Sequence, residues 1–204
     1  MGIAVLSGPM DIGSLPRAGL AVALALMASA AMGGVTSSTD QHNFLVEGTT
    51  AASLVRFMNG HALSGDHGHA YASIHPDYQL TLATHDAGGI CRPSGVDVHV
   101  QFDLTLPVAA SPGAMSHRTR AAWSSFTAFA RAHENHHRAS YLGCASAFVA
   151  QARRQSGPSC LALQDEIRRM LYDMKRSCEV RQRPFDQSQA RVLRNLALFA
   201  LARR

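Results

Sequence analysis

From Thr119 to Arg154 the chain has no proline and a single glycine, Gly143. Within that run Trp123, Phe126, Ala130, His133, His137, Tyr141, Cys144 and Phe148 recur at steps of three and four. Residues so spaced share one face of an α-helix, so the run reads as one long helix with a single stripe to bury. Gly157-Pro158 breaks it, and Ser159 is placed to cap a second helix. On that helix Cys160, Leu163, Ile167, Leu171, Met174 and Cys178 form another stripe. Pro184 is expected to end it. Asp186 with Gln189 then reads as a capping box for a last helix carrying Leu193, Leu196 and Leu201.

Upstream the period changes to two. Val96, Val98, Val100, Phe102 and Leu104 alternate with Asp97, His99, Gln101, Asp103 and Thr105, a strand with one buried face and one wet face. Pro107 is expected to close it. Asn43 to Val46 reads as a short strand, and Gly48-Thr49-Thr50 opens a small helix through Asn59. Ala70 to His75 and Tyr78 to Thr84 read as two strands joined around Pro76-Asp77. Val35 to Gln41 reads as a polar linker, and Gly60 to Gly68 and Asp86 to Gly95 as loops. The predicted fold class is α+β. A small, mostly antiparallel N-terminal sheet with one short helix (42–107) precedes a C-terminal antiparallel helical hairpin or bundle (118–204).

The chain has 204 residues, length for one domain plus a targeting segment. Arg17 precedes an apolar run from Ala18 to Met27, and Ala28-Ser29-Ala30 supplies a small-x-small cleavage pattern. Residues 1–30 are therefore expected to be a signal peptide, leaving one domain, 31–204, in the periplasm or outside the cell. No later segment is apolar and long enough to span a membrane, so no stable membrane insertion is expected after cleavage. The formal net charge of +5 comes without a Lys/Arg block or interleaved aromatics, so no nucleic-acid partner is expected. The four cysteines, Cys91, Cys144, Cys160 and Cys178, lack Cys-x-x-Cys spacing. In an oxidising compartment they predict two disulfides, with three connectivities open.

The chemistry lies on the first long helix. His133-Glu134-x-x-His137 places two imidazoles one turn apart, able to converge on one ion. The glutamate beside the first histidine then sits near the ion's open position, where it can take a proton from bound water. This pattern predicts a metallopeptidase-like domain with one Zn2+ ion. His133 and His137 are the ligands, Glu134 is the base, and the substrate is a peptide or protein. A catalytic zinc usually has three protein ligands. No histidine follows His137, so the third is a carboxylate or comes from upstream. Glu166 and Asp186 are the candidates, ahead of Asp165 and Glu179. His61, His67, His69, His75 and His85 read as loop and strand surface residues, with an accessory metal site as the alternative. His136 points off the stripe.

These residues resemble a bacterial family catalogued as a domain of unknown function and described as predicted secreted zinc-dependent proteases. The likeness runs over roughly residues 43 to 191. Phe44-Leu45-Val46-Glu47-Gly48-Thr49-Thr50 is similar to its opening strand and Gly-x-Thr turn, and the Cys91 loop, alternating strand and Leu106-Pro107 follow. Trp123-Ser124-Ser125-Phe126 leading into the His-Glu-x-x-His segment is the most specific stretch, and Cys160-Leu161-Ala162-Leu163 resembles the start of the next helix. The family typically ends in Tyr-Asp-x-x-Thr-x-His-Gly. Here Phe185-Asp186 keeps the aspartate, but Arg191 stands where the histidine would be. If that histidine is the family's third ligand, Asp186 or Glu166 must substitute. The resemblance also implies pairing of Cys91 with Cys160, leaving Cys144 for Cys178. Two functions follow as expectations: an exported zinc metallopeptidase, or a non-catalytic secreted binding or structural protein with a degenerate or structural metal site.

Overall fold

The computed structural model describes residues 34–65 and 68–204, with the side chains of 64–69 left aside. The expected signal peptide, His67 and the His69 side chain lie outside the described part.

The fold is mixed α+β: a three-stranded sheet from the N-terminal half, then two long helices. Strand β1 is Val35–Val46, helix α1 Ala51–Gly60, and the short strands β2 and β3 are Leu63–Gly65 and Gly68–Ala70. Strand β4 is Ser73–Asp86 and β5 Cys91–Ala109; α2 is His117–Ala152, α3 Cys160–Asn195 and α4 Ala197–Ala202. The sheet order is β1-β5-β4. β4 and β5 form an antiparallel hairpin, as do β2 and β3, whereas β1 runs parallel to β5. The hairpin turns at Gly88 and Gly89, whose positive φ angles of 70° and 87° suit residues without a Cβ.

The alternating segment is the middle of β5. Val96, Val98, Val100 and Phe102 are buried against α2 and α3 with Phe148, Leu163 and Ile167. The opposite face is polar, with the Thr36 and Ser38 hydroxyls bonded to the His99 ring across the parallel pair.

Several boundaries differ from the sequence expectation, among them Leu63–Gly65, a short strand within the expected Gly60–Gly68 loop. Residues 35–41, expected as linker, belong to β1. An edge strand on a one-sided sheet can be polar, because pairing with β5 satisfies its backbone. β4 runs straight through Pro76 because it too is an edge, where a missing N–H can face away from the ladder. β5 begins at Cys91 within the expected loop and passes Pro107. β4 pairs only as far as Thr105, so Pro107 has β1 alone beside it. Finally, α3 continues through Pro184 to Asn195, where a helix end was expected.

The helices α2 and α3 pack antiparallel: moving back along α2, the partners move forward along α3, from Cys144–Cys178 through Tyr141–Glu179 and His137–Gln182 to His133–Asp186. Both expected disulfides are formed, Cys91–Cys160 with Cα atoms 5.0 Å apart and Cys144–Cys178 with Cα atoms 6.2 Å apart. A tight turn at Gly157 would not bring Cys144 level with Cys178. Instead the connection runs outward, and Gly157 pairs with Cys91 through reciprocal backbone hydrogen bonds of 2.9 and 3.0 Å. α3 therefore starts beyond the end of α2, by roughly 15 Å at 1.5 Å per residue. A second core joins α1, the start of α2 and α4, around Leu54, Met58, Phe126 and Leu198.

Candidate metal centre

The centre is assembled where the upper part of α3 crosses the middle of α2. Ser116 caps α2, its side chain accepting from the Thr119 N–H at 3.1 Å, and the helix then runs unbroken past the motif. His133 and His137 stand one turn apart with their Nε2 atoms 2.9 Å from each other. Asp186 Oδ1 is 3.2 Å from His133 Nε2 and 2.9 Å from His137 Nε2. Among the described residues this is the one group of three His, Cys, Asp or Glu side chains whose ligand atoms converge.

Hydrogen bonding fixes one ring. The Gln182 amide nitrogen donates to the Cys178 carbonyl at 2.9 Å and to Ser140 Oγ at 3.0 Å. Its amide oxygen therefore faces His137 Nδ1, 3.0 Å away, and that nitrogen must carry the hydrogen and donate it. The His137 Nε2 lone pair is left pointing at the cluster, the tautomer a metal ligand needs. His133 is held by aromatic rings: it stacks on Phe185 at 4.9 Å and on Phe129 at 6.1 Å. Burial first, then His137, lower its pKa against the opposing effect of Asp186, favouring the neutral ring that binds cations. His136 is exposed and stacked on Phe185 at 3.7 Å.

Three electron-pair donors within 2.9–3.2 Å of one another fit a small divalent cation. A tetrahedral ion with bonds of about 2.0–2.1 Å keeps its ligand atoms roughly 3.3 Å apart, a slight opening of this triangle. Two histidines and a carboxylate are also a donor set that suits zinc. Glu134 is buried, 5% exposed, beside the cluster. Burial, then the Asp186 carboxylate, push its pKa up to about 8. All four residues line a cleft of about 590 Å³ between α2, α3 and the Tyr71–His75 end of the sheet.

Of the candidate third ligands, Asp186 joins the histidines and Glu166 does not. Glu166 is exposed and ion-paired with Arg169, 20 residues before Asp186 on the same helix, or about 30 Å. Asp165 is likewise exposed and paired with Arg168 at 3.3 Å. Glu179 accepts a 3.0 Å hydrogen bond from the Tyr141 hydroxyl and lines the cleft. The cap expected at Asp186 is not there: the residue lies inside α3. Arg191 is exposed and does not line the cleft. His75 lines the cleft, while His61 and His85 are surface residues. Gln182 escaped the sequence reading. Its signal was positional: with Asp186 opposite His133, the residue one turn earlier falls opposite His137.

The fold and cluster together define an α+β protein with a candidate His-His-Asp metal centre clasped between two long helices. Residues 41–191 match the profile of a bacterial protein family of unknown function (DUF922), well over half of the chain, and the protein belongs to that family. Searches of curated proteins and of solved structures returned no match.

Proposed function

We propose that the protein is an exported zinc metallopeptidase that hydrolyses peptide bonds in the cleft between α2 and α3. The observation carrying this reading is the convergence of His133, His137 and Asp186 beside a buried glutamate in an accessible cleft. His133, His137 and Asp186 would hold one zinc ion. Bound there, zinc supplies a Lewis acid and a water acidified to a pKa of about 7. Glu134 would receive the proton of the attacking water and pass it to the departing amine. Its burial places that transfer away from bulk solvent. Gln182 would keep the His137 lone pair directed inward, and Phe185 would keep the His133 ring in place. Export is supported by the two disulfides, which persist in oxidising compartments. Among the described residues no helix is long and apolar enough to cross a membrane.

Elemental analysis of the purified protein tests the metal, and hydrolysis of an unfolded protein such as casein tests the activity. The expected result is one equivalent of zinc, lost in His133→Ala and Asp186→Ala. Casein cleavage should be abolished in Glu134→Gln while the zinc stays bound. Zinc below a tenth of an equivalent, unchanged by the histidine substitution, would overturn the metal centre. Zinc bound without hydrolysis would favour the alternative, a secreted binding or structural protein with a structural ion.

A further inference from the structure

The cleft does not end at the metal cluster. A second cavity of about 500 Å³ shares His75, Tyr141, Glu179 and Arg183 with it and extends it along α3. Asp186, Arg183, Glu179 and Lys175 are spaced by three, four and four residues, so they lie along one face of that helix. The second cavity holds three cationic side chains, Lys175, Arg176 and Arg183, against one carboxylate, Glu179. Elsewhere on α3, Arg168 and Arg169 are paired with acidic neighbours. None of the three cavity cations makes a hydrogen bond or ion pair among the described residues. Lys175 Nζ instead sits over the Tyr78 ring, 5.3 Å from its centroid.

Tyr78 provides an independent pointer. It lines this cavity, is 8% exposed, and its buried hydroxyl has no hydrogen-bond partner among the described residues. An unsatisfied buried donor is costly, and such groups are few in folded proteins. Burial, then Glu179, raise its pKa, so it remains a protonated donor. Three cations against one carboxylate, around a buried donor without an acceptor, describe a place for a further anionic acceptor.

We propose that this second cavity is a recognition subsite for a carboxylate of the substrate, taken by Lys175, Arg183 and the Tyr78 hydroxyl. The proposal rests on reading the first cleft as a peptide-hydrolysing site. Along α3, Arg183 is about 4.5 Å and Lys175 about 16 Å from the level of Asp186. An extended peptide advances about 3.3 Å per residue. The recognised carboxylate therefore lies roughly one to five residues from the cleaved bond. It belongs either to an Asp or Glu side chain or to the chain terminus.

Binding measured without turnover tests this. Zinc-loaded Glu134→Gln protein is titrated at low salt against three dansylated hexapeptides, read by fluorescence anisotropy. One is neutral and amidated, one is identical but for an internal Glu, and one has a free terminal carboxylate. At least one anionic peptide is expected to bind tenfold tighter than the neutral one, and the arm that does so assigns the source. Lys175→Met with Arg183→Met should bring all three within twofold. Lys175 is the only lysine in the chain, so acetylating it removes the charge without a substitution and should weaken the preference in the same direction. Equal binding of the three peptides, or a preference that survives the double substitution, overturns the subsite. Wild-type cleavage of the neutral peptide is scored separately. Cleavage without charge preference leaves the peptidase and removes the subsite; a Lys175- and Arg183-dependent preference without any cleavage does the reverse.

Discussion

Gln182 is 2% exposed, and every polar atom of its amide has a partner. It is the residue through which the backbone of α3 dictates the tautomer of a ring on α2. Replacing it with Leu leaves His137 Nδ1 without its acceptor and lets the ring turn. Zinc affinity of Gln182→Leu should fall by about 10- to 100-fold, as for other partners of metal-bound histidines. Competition with a chromophoric chelator measures it, and unchanged affinity would remove Gln182 from the centre. Glu134 carries a second prediction. In the metal-free protein its pKa stands at about 8 against an ordinary 4.5, so the folded state holds the proton more tightly than the unfolded chain. Stability from this group is full below about pH 4.5 and is lost as pH rises through about 8. Metal-free Glu134→Gln should therefore be more stable than wild type, by an amount that grows across that window to the order of a few kcal/mol. Urea midpoints at pH 5, 6.5 and 8 read the difference, and a gap that stays flat with pH contradicts the prediction.

The pair α2–α3 sets the geometry: Cys144–Cys178 joins the two helices, and Cys91–Cys160 ties the start of α3 to β5. Cys144–Cys178 closes 34 residues and Cys91–Cys160 closes 69. Chain entropy alone makes each worth about 4 kcal/mol, the longer loop slightly more. Their effects on the centre should differ. Cys178 is one turn from Gln182 and accepts a hydrogen bond from it, whereas Cys160 lies at the far end of α3. Replacing Cys144 and Cys178 with Ser should lower both stability and zinc affinity. Replacing Cys91 and Cys160 should lower stability alone. Matched zinc titrations separate the two; equal losses of affinity would show that the local coupling is absent. The two helices were readable from their stripes because burial repeats at 3.6 residues wherever a helix lies on a core. The choice of Asp186 over Glu166 as the candidate third ligand was obscured by Pro184. A proline inside a helix removes a hydrogen bond and crowds the preceding turn. Read locally it ends α3 and turns Asp186 into a cap. Contacts on both sides of it, the buried Gln182 before and the Asp186 cluster after, hold the helix together instead.

At the scale of the molecule, the layers were legible and the edges were not. β5 announces itself because both its neighbours and a helical layer cover it; β1 does not, because its polar residues look like a linker until β5 is known to pair with them. Nor does the sequence expose a cavity shared by β4 and α3, which is why Tyr78, Lys175 and Arg183 drew no notice as a set. The last helix packs on its own domain: Leu198 is fully buried and Phe199 lies against Phe126 and Tyr71. Chelation gives the whole-molecule prediction. Removing zinc should lower the melting temperature by mass action, about 2.7 kcal/mol for free zinc at a hundredfold excess over Kd. Far-ultraviolet dichroism at 25 °C should be unchanged, and added zinc should restore the melting temperature in full. Collapse of the helical signal on chelation would contradict this. The reason lies in what holds α2 and α3 in place without an ion. Cys144–Cys178 joins the two helices directly and Cys91–Cys160 ties the start of α3 to β5, so the chain's own bonds hold the pair whether or not an ion sits in the cluster. On the zinc reading, oxidation and charging would then be decoupled: a chain already bolted by its cysteines could stand empty and take up its ion afterwards.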